Sequence, residues 1–407
     1  TRKGLFVYQR QRGGWRVAHR AFVGVSCPMA LHDPRDGAIY AALGHGHFGI
    51  KLHRSRDGGA TWTEITAPAF PPKPDDAPTV TCPMRGIEIP WTVEMIWELA
   101  IGAADTPGEL WCGVIPGALF HSTDHGENWS LVESLWNDPI RTCWVGGGYD
   151  YPGIHSVLVD PRDGDRIRIG VSCGGVREST DRGATWTTRA DGMRAEYMPP
   201  ELANDGDAQD PHIVVQCPAQ PDVMWSQHHN GIFRTTDGAA SWTEIGKAGP
   251  STFGFAAAVH PNDGDTAWFV PATKDEARYP VDGRVVVTRT RDGGASFDVL
   301  GDGLPAADAY DIVYRHALAV GDAVAFGTFD VVDYLASSCA TLGEGLERLA
   351  RYFALVTPNL VWNTRPSERA IELICQQDAP EERLVNVQFT LGVTFGRFRR
   401  MTSPFSL

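Results

Sequence analysis

The sequence predicts an all-β fold, a β-propeller of six four-stranded blades (seven is the alternative count) followed by a small α/β tail. Three observations predict it: a hairpin motif repeated five times, pairs of strand-like runs ahead of each copy, and a change of texture after residue 328. The motif reads Ser55-x-Asp57-x-Gly59-x-Thr61-Trp62, Ser122-x-Asp124-x-Gly126-x-Asn128-Trp129 and Ser179-x-Asp181-x-Gly183-x-Thr185-Trp186. Two looser copies follow, Thr235-x-Asp237-x-Ala239-x-Ser241-Trp242 and Thr290-x-Asp292-x-Gly294-x-Ser296-Phe297. Their aromatic positions are 67, 57, 56 and 55 residues apart, the period of one supersecondary unit.

The physics of the motif is local. An Asp in a tight turn accepts bonds from nearby backbone amides, Gly supplies a positive φ, and the ring packs beneath the hairpin. Each copy joins two short strand-like runs, such as 175–178 and 185–188. Two further runs precede each hairpin, at 28–33 with 38–43, 97–102 with 109–114, 156–159 with 166–172, 212–217 with 222–227 and 255–260 with 265–270. Four strands per period describe a propeller blade.

The first and last blades are incomplete in complementary ways. Residues 4–10 and 14–20 read as a strand pair with nothing before it, and 310–318 with 322–327 read as a pair with no hairpin after it. Joining the halves closes a six-bladed ring.

From Phe329 onward the Asp-Gly turns stop, and Leu342, Leu346, Leu349, Ala350 and Phe353 fall on one helical face behind Thr341 as N-cap and Glu344 at the third position. The expected division is therefore 1–328 and 329–407.

Composition narrows the function. Hydrophobic residues make up 43% and charged residues 21% of the 407, and no apolar run reaches the roughly 18–20 residues that span a bilayer. Net charge is −14, from 36 basic and 50 acidic residues, which opposes a phosphate backbone, so neither nucleic acid nor membrane is an expected partner. Eight scattered cysteines form no zinc-knuckle or redox pair and read as mostly buried thiols. With Thr at position 1 and no charged-then-apolar leader, the expected location is cytoplasmic.

The repeated turns resemble those of Asp-box, or BNR-repeat, propellers of the sialidase-like superfamily, over residues 1 to about 328. The same turn occurs in sialidases, xyloglucan-type glycosidases, sortilin-like receptors and photosystem assembly factors, so the resemblance implies fold more than activity. Thr341 to Phe353 resembles the effector-binding N-terminal domain of AraC-type transcription regulators. The chain ends at Leu407, before any DNA-binding unit of that family would fit, so no such role is carried over.

In a propeller, loops between second and third strands share one face with the loops joining blades, opposite the Asp-boxes. That face gathers His45, His47, Tyr149, Asp150, Tyr151, His155, Asp207, Asp210, His212, His228 and His229. Three chemistries compete for it, beside a non-catalytic scaffold that binds a protein or small ligand.

The sialidase resemblance implies an arginine clamp on a carboxylate with a tyrosine nucleophile. The arginine-bearing motif of that family is missing apart from Ile87-Glu88-Ile89-Pro90, and Arg85, Arg141, Arg194, Arg278 and Arg315 are the arginines on offer. A two-carboxylate glycosidase would draw on Glu98, Asp150, Asp207 and Asp210 as catalytic groups. Tyr149, Tyr151, His155, His212 and Arg278 would hold the small-molecule or carbohydrate ligand. A divalent-metal hydrolase would draw on His45 and His47, two imidazoles at alternate positions, completed by His228 and His229. Trp91, Trp97, Trp144 and Trp225 lie outside the repeated turns; on the rim they would stack on sugar rings, but most are expected to be blade packing.

Overall fold

The computed structural model describes residues 3–11, 14–146, 149–310, 312–318, 360–366 and 371–377. An N-terminal hairpin pairs β1 (Leu5–Gln11) with β2 (Gly14–Ala21). Five four-stranded antiparallel sheets follow, each a meander in chain order.

The first sheet holds β3 (Ser26–His32), β4 (Ile39–Gly44), β5 (Ile50–Ser55) and β6 (Thr63–Ile65). The second holds β7 (Met95–Ile101), β8 (Leu110–Ile115), β9 (Ala118–Ser122) and β10 (Ser130–Leu131). The third is β11 (Ile154–Asp160), β12 (Asp163–Val171), β13 (Gly175–Ser179) and β14 (Thr187–Thr188). The fourth is β15 (Pro211–Cys217), β16 (Gln220–His228), β17 (Gly231–Thr235) and β18 (Thr243–Ile245). The fifth is β19 (Gly254–His260), β20 (Asp263–Pro271), β21 (Val287–Thr290) and β22 (Asp298–Leu300).

First strands of neighbouring sheets pack on one another, β3 on β7, β7 on β11, β11 on β15 and β15 on β19. This is the propeller-like arrangement expected of repeated blades, with first strands innermost. Apolar wedges fill the gaps between blades. Tyr40, Leu52, Ile96 and Phe120 lie between the first two sheets, Trp111, Ile154 and Ile169 between the next two, and Trp225, Ile232 and Phe269 between the last two.

The repeated turns close as their sequence requires. In the first, Asp57 accepts from the amide and hydroxyl of Thr61 at 2.9 and 2.6 Å, and Ser55 Oγ accepts the Gly59 amide at 2.8 Å. The same bonds recur around Asp124, Asp181, Asp237 and Asp292. The aromatic residue packs toward the preceding blade rather than only under its own hairpin. Trp129 and Trp242 donate to the carbonyls of Thr66 and Arg189, at 3.0 and 2.8 Å.

One expectation is corrected: residues 310–318 contain no strand among those described. Val313 and Leu318 pack on the fifth sheet's core, and Arg315–Ala317 form a 3₁₀ turn against β19. The apolar pattern of this stretch is thus satisfied by capping a sheet, not by pairing with one.

The expected strand at 322–327, the 328/329 boundary and the expected helix behind Thr341 lie outside the described residues. Within the tail, β23 (Leu360–Pro366) and β24 (Ile371–Gln377) form an antiparallel hairpin. No helix among the described residues is long and apolar enough to cross a membrane.

Candidate active site on the channel face

Each innermost strand carries one extra residue near its start. The pairing register slips between Ser26 and Met29, Ile96 and Glu98, Ile154 and Ser156, Pro211 and Ile213, and Gly254 and Ala257. A bulge of this kind bends the strand and re-aims a side chain. In three sheets the residue left unpaired is Trp97, His155 or His212, and in the fifth the slip spans Phe255. These four rings meet in pairs: Trp97 stands edge-on to His155 at 5.6 Å, and His212 stacks on Phe255 at 4.2 Å.

Beside them, Asp210, His212 and His229 bring three ligand atoms within 4.8 Å of one another. Asp210 ends the loop into β15, His212 is the bulge residue of that strand, and His229 lies in the turn after β16. Asp210 Oδ2 is 3.6 Å from His212 Nε2 and 3.4 Å from His229 Nδ1. Two donors each ~2.1 Å from a tetrahedral ion lie about 3.4 Å apart, so the spacing suits a metal better than a direct hydrogen bond.

Protonation sharpens this. His212 Nδ1 lies 2.6 Å from the Gly254 carbonyl, which only accepts, so Nδ1 carries the proton. Burial lowers the His212 pKa below its ordinary value, against the pull of Asp210; when the ring is neutral, Nε2 is a lone pair facing that carboxylate. Asp210 is held well below the usual carboxylate range despite its burial, by a protonated His212, by His229 and by Arg315. The pair therefore needs a cation between its two acceptor atoms, either a shared proton or a metal ion.

The residues behind the ligands hold them as metal ligands are held. Gly254 orients His212. Asp275 Oδ2 is 3.3 Å from His229 Nε2. The Cys173 amide donates to Asp210 Oδ1 at 3.2 Å. The donor set of one carboxylate and two imidazoles fits a divalent ion.

Arg315 adjoins this centre. Its guanidinium lies 4.6 Å over Trp97 and 5.6 Å from the Phe255 ring, and burial pushes its pKa down to about 10, so it stays charged at neutral pH. The next residue, His316, faces Glu98 across 3.5 Å. Burial raises the Glu98 carboxyl well above its ordinary range, toward its protonated form, and lowers His316 to about 4, so the imidazole is uncharged at neutral pH.

The candidates named from sequence therefore separate. Glu98, His155, Asp210, His212 and His229 converge on the channel centre. Arg278 lies at its edge, exposed, with its guanidinium 5.4 Å over Phe255. Asp150 does not take part; it is exposed and paired with Arg85 at 3.1 Å, next to exposed Tyr149 and half-buried Tyr151. Asp207 pins its loop to the third sheet, accepting from Arg177 and Thr188 at 2.9 and 2.7 Å.

Among the metal candidates, His45 and His47 are exposed in a short 3₁₀ segment, where alternate spacing no longer puts two rings on one strand face. Both ring nitrogens of His228 face backbone amides, of Asp210 and Asn230 at 3.1 Å, so it shapes the loop and has no nitrogen to give a metal. Trp144 and Trp225 are blade packing, but Trp97 is a wall of the site. Asp275, Cys173, His316 and Phe255 were not singled out from sequence. Of the six cysteines described, only Cys143 is exposed.

Comparison with known proteins places this geometry in context. The family model for the arabinose-binding N-terminal domain of AraC transcription regulators matches residues 315–407. That match begins at Arg315, inside the channel site. The xyloglucanase of Hypocrea jecorina is 25% identical over 176 residues, 39% of this chain and 20% of that protein. The xyloglucanase Xgh74A of Acetivibrio thermocellus is 24% identical over 159 residues, 33% of this chain and 18% of that protein. A solved GH74 enzyme of Niastella koreensis superposes with a TM-score of 0.47 at 18% identity, covering 72% of this chain and 41% of its own. The chain spans about a fifth of the length of the curated relatives it matches, and over that part it is similar to glycoside hydrolases of the xyloglucanase kind.

Proposed function

We propose that this chain is a carbohydrate-active, glycoside hydrolase-like propeller whose channel-face centre, Asp210, His212 and His229, works with a divalent ion on a sugar derivative. The observation that carries the reading is the convergence of Asp210, His212 and His229, whose three ligand atoms lie within 4.8 Å of one another, with Asp210 Oδ2 3.6 Å from His212 Nε2. Both curated relatives are named xyloglucanases, and the family model on the tail is described as arabinose-binding, which supports a sugar as the ligand class.

The ion would supply Lewis-acid polarisation and a more acidic bound water. The chain's own residues do the rest. The environment pushes the two carboxyls apart, holding Asp210 toward its ionised form for the ion and Glu98 toward its protonated form. Glu98 holds its proton at the wall formed with His316, and the faces of Trp97 and Phe255 exclude water around Arg315.

A sialidase-type clamp finds less support. Arg141 lies 3.6 Å over Trp136, Arg194 pairs with Glu196, and Arg85 pairs with Asp150. That leaves Arg315 and Arg278 of the five arginines.

The test is a panel of aryl glycosides with the metal-loaded chain, its metal content measured by elemental analysis. Asp210→Asn should lose both metal and turnover, and Asp150→Asn should keep both. A chain that takes up no metal, or an Asp210→Asn variant as active as the parent, would overturn the reading.

A further inference from the structure

The centre holds more unsatisfied polar atoms than a metal explains. Nε of Arg315, Nε2 of His155 and Nε2 of His316 are all buried without a hydrogen-bond partner among the described residues. Arg315 is only 5% exposed; it feels the charge of Asp210 but makes no direct ion pair among the described residues. A buried guanidinium that makes neither a hydrogen bond nor a direct ion pair is costly, and a bound anion would supply the missing contacts.

The surroundings define that ligand. The planar fork lies over the Trp97 ring at 4.6 Å and the Phe255 ring at 5.6 Å, which restricts where it can turn. Ser156 Oγ accepts the Val214 amide at 3.0 Å, and its own proton can go to His155 Nδ1, also at 3.0 Å, leaving His155 Nε2 as a second donor. A fork and a neighbouring N–H suit a planar oxyanion. Around the centre stand exposed Tyr197, 5.0 Å from His229, and exposed Tyr314, 5.0 Å from Phe255, aromatic faces of the kind a sugar ring covers.

We propose that the channel centre takes an acidic sugar, with the sugar's carboxylate seated on Arg315 and its hydroxyl-bearing ring toward Asp210, His212 and His229. This rests on the channel face being the substrate site proposed above. Arg315 is a binding residue that sets charge specificity, and a neutral sugar leaves its guanidinium unpaired.

Calorimetric titration of the full chain tests it, using glucuronate and galacturonate against glucose, galactose and glucose 6-phosphate. The uronates should bind at least ~10-fold more tightly than the neutral sugars, and Arg315→Met should erase that preference while keeping its metal content. Arg315→Lys, which keeps the charge and loses the fork, should retain only part of it, and it decides the matter if Arg315→Met does not fold. Equal binding of uronate and neutral sugar, or an unchanged preference in a folded Arg315 variant, overturns the proposal. Binding of the sugar phosphate alone overturns the carboxylate. A chain without metal that still prefers uronates would sink the metal reading and leave this one standing.

Discussion

Asp275 Oδ2 lies 3.3 Å from Nε2 of His229, while Asp210 faces the Nδ1 of the same ring. Against the pull of burial, the two carboxylates raise the pKa of the ring and favour a proton on both nitrogens. A metal would displace the Nδ1 proton, and Asp275 would keep the one on Nε2 and hold Nδ1 toward the ion. Asp275→Asn should lower zinc affinity about 10–100-fold with all three ligands intact. Chelator competition measures this, and His229→Ala should lose more. Equal affinity in Asp275→Asn and the parent would show that Asp275 does not orient the ring.

Glu98 gives a pH signature that can be separated from activity. Its carboxyl titrates well above the ordinary 4.5 in the folded state, through burial, so the folded chain holds a proton that the unfolded chain releases. Stability linked to Glu98 is therefore complete below about pH 4.5 and falls as pH rises toward the folded-state pKa. Glu98→Gln mimics the protonated form and removes that fall. Melting temperatures of parent and variant should agree near about pH 4 and diverge by about pH 8, with Glu98→Gln the more stable. Parallel curves would mean that Glu98 is ionised in the fold.

The repeated turns predict the opposite slope at acid pH. Asp181, Asp237 and Asp292 are held at about 2, against an ordinary 3.8; for Asp181 and Asp292 the Thr185 and Ser296 hydroxyls and amides are the main cause. For Asp237, burial opposes the shift and the bonds from Ser241 outweigh it. Depressed carboxyls lend stability that is present above the unfolded pKa and lost as pH falls through the folded one. The urea midpoint of the chain should drop between about pH 4 and pH 2, and its difference from Asp181→Asn should shrink over that window. A constant difference would place the contribution of Asp181 outside its charge.

What the sequence discloses follows from range. The Asp-box reads plainly because Asp57 reaches only to Thr61, four residues away, and the five blade sheets follow from its period. The channel site depends on one-residue irregularities. Trp97, His155 and His212 face the centre because a bulge precedes normal pairing, and alternation of apolar residues does not reveal a bulge. Asp207 and Asp210 look alike in sequence, yet one is claimed by Arg177, thirty residues back, and the other enters the site. Arg315 and His316 sat in an apolar stretch that reads as strand, so their turn into the channel was hidden.

The same bulge makes a distant glycine a test of the site. A Cβ on Gly153 would sit 2.3 Å from Cε3 and 2.4 Å from Cζ3 of Trp97, and 2.7 Å from Cγ1 of Ile115. Rings do not bend, so Gly153→Ala must shift Trp97 or the backbone, and overpacking of this order costs about 1–3 kcal/mol. Gly117 offers a graded control, since a Cβ there meets Trp144 at 3.2 Å and asks only a few tenths of an ångström. Denaturant unfolding should show Gly153→Ala as clearly the less stable of the two. Because Arg315 lies against Trp97 at 4.6 Å, the shift should also reach the guanidinium, weakening uronate binding while the zinc affinity of Asp210, His212 and His229 holds. If zinc and uronate affinity fell together, the wall and the metal centre would be one packed unit, and Trp97 could not be credited with positioning Arg315 alone.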